Sequence, residues 1–287
     1  MRNPIIKREM QTSLRSWKLF YVVCAYVAFL LLVAYLFLET MVSQTVYSGF
    51  DPKDVIYLYA LLSGIQLAFV LLAVPSLTAG SISGERERQT LDILLTTKMT
   101  PFSIVFGKLV AGIGQLLMMI VATLPVYAVL YYFGGISIWH ILSTTLYLMV
   151  TAVFIGSFSI LFSCIYKRTM ISMLVVYVLF GLLIFATAGG YLIYLAYINS
   201  QASMLNVIAT PNPLAYLGCF AFNPGAGFFS LLSVQIGTNP ILSWFGYSGA
   251  MPALPLPTWV INVVAELVLS VGILALAAKK INPLKRK

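Results

Sequence analysis

The sequence predicts an all-α polytopic membrane protein. It has six transmembrane helices, an N-terminal interfacial amphipathic helix, a short charged helix between spans 2 and 3, and a long outer-leaflet segment between spans 5 and 6. Three observations carry this. The 287 residues are 61% apolar and only 9% charged, with a mean hydropathy of +0.97, whereas soluble domains carry about 25% charged residues. Six apolar runs are each long enough to cross a hydrocarbon core of about 30 Å as a helix. The basic residues sort onto one side of those runs.

The runs are about Trp17 to Leu38, Val55 to Ala79, Phe102 to Phe133, Trp139 to Ile165, Met170 to Ala196 and Trp259 to Ala278. Helices are expected because a segment in lipid must satisfy its own backbone hydrogen bonds. The alternating segments of about ten residues that make a barrel are not seen. Of the 17 Lys and Arg residues, only Lys53 falls on the second side; Arg2, Arg15, Arg86, Arg88, Lys98, Lys108, Lys167, Lys279 and the rest share the first. That asymmetry makes the first side, with both termini, cytoplasmic. The net charge of +9 is therefore read as topology and not as nucleic-acid binding. The first apolar run is too long for a cleavable signal and no small-x-small site closes it. Cys24, Cys164 and Cys219 are far apart and read as small packers, outside any disulfide or metal framework.

Residues 1–18 read as an interfacial helix capped by Asn3 with Pro4 in its first turn. Ile6, Met10, Leu14 and Trp17 make one apolar face, and Lys7, Arg8, Arg15 and Lys18 face anionic lipid heads. The 39–54 loop is external. Residues 197–258 contain no charge but hold Pro211, Pro213, Pro224, Pro240, Pro252, Pro255 and Pro257, so no full span fits. Short helices dipping into the outer leaflet are expected there; an eight-span chain is the alternative. Pro75 and Pro125 lie inside spans and can bend them. Gly112, Gly114, Gly189 and Gly190 allow close helix contact.

The densest charge lies in GERERQTLDILLTTKMTP, from Gly84 to Pro101. Ser81 or Ser83 is expected to cap a helix starting near Gly84, with Glu85 and Glu87 at its positive end. Leu91, Leu94 and Leu95 then share one face. Thr100 and Pro101 read as the cap and first turn of the next helix.

This region resembles the signature of bacterial ABC-2 type permeases, the membrane subunits of ATP-driven transporters. The matching residues are Gly84, Glu85, Arg86, Thr90, Leu91, Leu94, Leu95, Pro101, Gly107 and Lys108; TTKMTP departs from the usual Pro placement. The opening NPIIKREMQTSLRSWK resembles the family's connecting helix, and the likeness covers the whole chain. The resemblance implies that 17–287 is a permease domain whose loop 80–101 carries a coupling helix. Glu85, Arg86, Glu87, Arg88, Thr90 and Asp92 would then meet an ATPase or hold the loop, and Leu91, Leu94 and Leu95 would seat it. It implies two ABC ATPase subunits as partners, a second permease copy or a homologous permease, and the bacterial cytoplasmic membrane as location. ATP and Mg²⁺ would belong to the ATPase, with no cofactor in this chain.

The sequence itself offers no catalytic set. Gly107-Lys108 lacks the glycine-rich run of a phosphate-binding loop, and His140 is the single histidine. Deep inside the spans, Glu266 lies near the middle of the sixth with Asn262 one turn earlier, and Gln66 and Gln115 are the large polar residues at comparable depth in the second and third. Each either lines a translocation path or makes a structural bond between helices, and Glu266 should face protein or water. An ion-driven transporter would show paired membrane acids and inverted repeats. A non-transporting anchor for a soluble partner is the third reading.

Overall fold

The computed structural model describes residues 17–48, 52–91, 100–205, 212–237 and 257–281. Every described element is helical: α1 Trp17–Ser48, α2 Pro52–Thr78, α3 Gly80–Glu87, α4 Pro101–Ala122, α5 Leu124–Phe133, α6 Ile138–Ile165, α7 Thr169–Leu205, α8 Pro213–Phe220, α9 Pro224–Ile236 and α10 Thr258–Ile281. Six stretches are long and apolar enough to cross a membrane: Leu19–Thr40, Asp54–Glu87, Pro101–Phe133, Ile138–Ile165, Thr169–Met204 and Thr258–Ile281. The α8–α9 pair, bent by 120°, makes up to seven if it counts as one span, so the described residues do not reach eight. The interfacial helix expected over 1–18 lies almost wholly outside the described residues, which begin at Trp17.

Three helices run longer than their hydrophobic runs. α1 continues to Ser48 because ETMVSQTVYS holds no Pro or Gly. α7 continues to Leu205, short of Pro211. The second span does not stop at Ala79. The Ala79 N–H bonds to the Pro75 carbonyl at 2.9 Å, and the chain runs on into α3. The third span is interrupted at Thr123, where Pro125 at the start of α5 removes a backbone donor.

The chain divides into two compact units, Met1–Val176 with Ser270–Lys287, and Tyr177–Leu269. In the first, α2, α4 and α6 pack on one another, α1 lies against α2, and α3 lies against α6. Close approach is built in: a Cβ on Gly112 would stand 2.8 Å from Thr78 Cγ2, and one on Gly156 would stand 2.9 Å from Leu109 and Ile113. The pair Gly189 and Gly190, read as a contact surface, has nothing within 4 Å of its Cβ positions. In the second unit, Tyr191 and Leu195 of α7 pack with Tyr216 and Phe220 of α8. The Tyr191 and Phe220 ring centroids are 4.9 Å apart, edge to face.

Candidate functional site

The charged stretch sits at the C-terminal end of α3, not at the start of a helix. Gly84 is mid-helix, Arg88 is the C-cap, and Gln89 follows with φ of 59°. The expected capping by Ser81 or Ser83 is absent, because the helix already runs through both. The residue before α3, Ala79, has no side chain that can cap it. Ser163 of α6 does that work from another helix: its Oγ accepts from the N–H groups of Ile82 at 3.0 Å and Ser83 at 2.8 Å. These are first-turn donors with no acceptor within α3.

Each charged residue of α3 then has its own anchor. Arg86 reaches the C-terminal end of α6, where Tyr166 turns to extended backbone. Its guanidinium donates to the Cys164 carbonyl at 3.1 Å and the Tyr166 carbonyl at 3.3 Å. A cation there matches the negative end of the helix dipole. Glu87 reaches the start of α7: it accepts the Thr169 backbone N–H at 2.8 Å and the Thr169 hydroxyl at 3.0 Å. Glu85 pairs with Lys108 of α4 at 3.2 Å and also accepts from the Thr90 hydroxyl. Lys108 is 4% exposed, so its charge is held inside the bundle by this contact. Ser83 Oγ, 3.2 Å from Thr169 Oγ1, fills the space between them.

The two carboxylates therefore do not sit at the positive end of their own helix. Glu87 sits at the positive end of a neighbouring one. Thr90 is part-buried in its bond to Glu85, Leu91 is buried, and Arg88 is exposed. Asp92, Leu94 and Leu95 lie outside the described residues. Beyond them the chain re-enters as expected: Thr100 caps α4 by accepting from the Ser103 N–H at 3.3 Å, with Pro101 at its first position.

The polar residues within the spans fall into separate places. Gln66 of α2 donates to Thr123 at 3.0 Å and accepts from the Tyr127 hydroxyl at 2.7 Å, so it fastens the interruption of the third span. Nearby, Tyr59 bonds Thr144 at 2.6 Å and the His140 carbonyl at 2.9 Å. His140 closes a capping box with Ser137. Gln115 is half-buried on α4, outside this set.

In the second unit, Asn262 of α10 donates to three carbonyls at the α8–α9 elbow: Phe220 at 3.2 Å, Ala221 at 3.0 Å and Asn223 at 3.1 Å. Asn223 caps α9 by accepting from the Ala226 N–H at 3.2 Å and donates to Thr187 of α7 at 2.6 Å. Glu266, one turn beyond Asn262, is fully buried.

Sequence reasoning missed Ser163, Thr169, Thr123 and Asn223. Small hydroxyl and amide residues carry no signal of a partner 36 to 82 positions away. Lys108 stood within the recognised pattern, and its burial next to Glu85 explains why a lysine belongs there.

No group of three or more His, Cys, Asp or Glu side chains suited to a metal occurs among the described residues. The arrangement is a bundle of six membrane-spanning helices with a tightly bonded charged end. The family model for ABC-2 family transporter proteins matches residues 3–277, and the chain belongs to that family. It is a non-catalytic membrane permease component of an ABC-type transport system. The architecture of such systems implies an ATPase partner and a membrane. No curated protein matches the sequence.

Proposed function

We propose that this permease exports a hydrophobic or amphipathic molecule, such as a lipid-linked compound, drug or peptide, by ATP-driven alternating access. It works as a pair, with itself or with a homologous permease, on two ATPase subunits. The loop between Arg88 and Thr100 is the coupling surface on the cytoplasmic side. Leu94 and Leu95 seat it in the ATPase, Arg88 and Asp92 form its charged rim, and buried Leu91 packs its underside.

The observation that carries this reading is the double anchoring of that loop. On the side where it leaves α3, Glu85, Arg86 and Glu87 bind three different helices. The Glu85 contact is itself the tie to the side where the loop returns, since its partner is Lys108 of α4. Ends held this way pass force to the bundle instead of absorbing it. The paucity of burial along α1 and α7, each 17% buried over its apolar window, leaves wide faces for lipid and for the second permease. The uncharged outer segment suits an amphipathic cargo.

The test is purification of the tagged chain from its native membrane, identification of bound subunits, and measurement of ATP hydrolysis with amphipathic cargoes. The reading expects a copurifying ATPase stimulated by a cargo of this class. Recovery without an ATPase favours the ion-driven or anchoring alternatives.

A further inference from the structure

We propose that Arg86 and Glu87 form a two-armed clasp on the turn between α6 and α7. The turn over residues 166–168 and the first turn of α7 then move as one body with the end of α3. This deepens the reading above and rests on it for the source of motion.

The two residues are consecutive, yet their side chains reach opposite ends of one short connection. Arg86 holds the last carbonyls of α6, at Cys164 and Tyr166. Glu87 holds the first N–H and hydroxyl of α7, at Thr169. The charges match the dipoles they meet: a cation at a C-terminal end and an anion at an N-terminal end. Exchanging them would reverse both interactions.

The space beneath the clasp is closed. A Cβ at Gly80 would meet Thr169 Cγ2 at 3.1 Å, and Ser83 bridges Ser163 and Thr169 at 3.2 Å each. The turn therefore cannot slide along α3 without breaking charge-assisted bonds on both sides. α7 is an unbroken helix of 37 residues that begins at the clasped Thr169. A push on the end of α3 enters the fifth span at its first residue. In this view Arg86 and Glu87 are positioning residues that pass motion to a second loop, while the ATPase itself is met further along, beyond Arg88.

The experiment uses the full chain in lipid nanodiscs, with Cys24, Cys164 and Cys219 replaced by alanine and spin labels at cysteines introduced for the exposed Gln89 and Lys167. The expected distance distribution is narrow. Glu87→Ala broadens it and raises hydrogen exchange at Thr169 by about tenfold, the loss of a charge-assisted bond. Glu87→Gln, which keeps an acceptor oxygen, restores most of both. In the complex with its copurified ATPase, ATP and Mg²⁺ alter exchange over residues 169–173 in the wild type, and Glu87→Ala abolishes that response while ATP turnover continues.

An unchanged distance distribution in Glu87→Ala overturns the clasp. So does a nucleotide response that survives the substitution. The nanodisc measurements need no ATPase, so they decide the clasp even where no ATPase copurifies and the parent reading fails.

Discussion

At the end of α3, helix termini are closed by ions; at the α8–α9 elbow they are closed by two asparagines. Both regions face the same difficulty. A helix that stops leaves carbonyls or N–H groups without partners, and these must be met by side chains when the stop lies inside protein. At α3 the partners are Arg86, on the carbonyls of Cys164 and Tyr166, and Glu87, on the Thr169 N–H. At the elbow they are Asn262 and Asn223, with Asn262 donating to three carbonyls, two of which also accept a backbone N–H. The difference follows from solvent. Glu87 is exposed and Glu85 is 32% exposed, so their charges keep part of their hydration. In the uncharged stretch around the elbow an ion would lose all of its hydration, and a neutral amide loses much less. Glu266, fully buried one turn from Asn262, is the exception to this division.

The largest effect should come from the elbow. Asn262→Leu strands the Ala221 carbonyl and takes a second donor from those of Phe220 and Asn223, which keep the Asn223 and Gly227 N–H groups; it should lower stability by about 2.5 kcal/mol, most of it for the stranded group. Thermal unfolding of the purified chain reads this directly. A variant as stable as the wild type would mean that the elbow is not held by Asn262. Next is Arg86→Ala, which should cost about 2 kcal/mol through the two α6 carbonyls it strands. Arg86→Lys should recover less than half, because an ammonium cannot fork across Cys164 and Tyr166 as a guanidinium does. Full recovery by lysine would show that only charge matters there.

Thr100→Ala removes an exposed cap at the start of α4 and should cost about 0.5 kcal/mol. It calibrates what a local cap contributes where a partner from another helix is not involved. The smallest effect is expected for Glu266→Gln, a change of equal size that removes the ionisable group. Stability should stay within about 0.5 kcal/mol of wild type. If export also persists, Glu266 is a structural residue; if export is lost while the chain folds and keeps its ATPase, Glu266 lies on the path.

How much of this was legible in the residues varies with range. The six spans follow from apolar runs, since lipid imposes length and hydropathy on each span separately. The Thr100–Pro101 start of α4 was legible because a cap and its helix are neighbours in sequence. The end of the second span was not. The apolar run ends at Ala79, and Ser81 or Ser83 was expected to cap a new helix near Gly84, yet α3 runs straight through them. What keeps it helical is Ser163, which binds its first-turn N–H groups from α6. Glu85 and Glu87 were expected at the start of a helix and lie near the end of one for the same reason. Asn262 stood out as a polar residue in an apolar span. Its three acceptors are backbone carbonyls, which no sequence pattern marks.

The account stands or falls on the face presented by the end of α3. A single cysteine at Arg88, in a chain whose three native cysteines are alanine, can be challenged with a membrane-impermeant maleimide. The account predicts no labelling in intact cells and full labelling once the membrane is opened. Labelling in intact cells would set this end outside, away from ATP, and would contradict the assignment of the Arg88–Thr100 loop as the coupling surface.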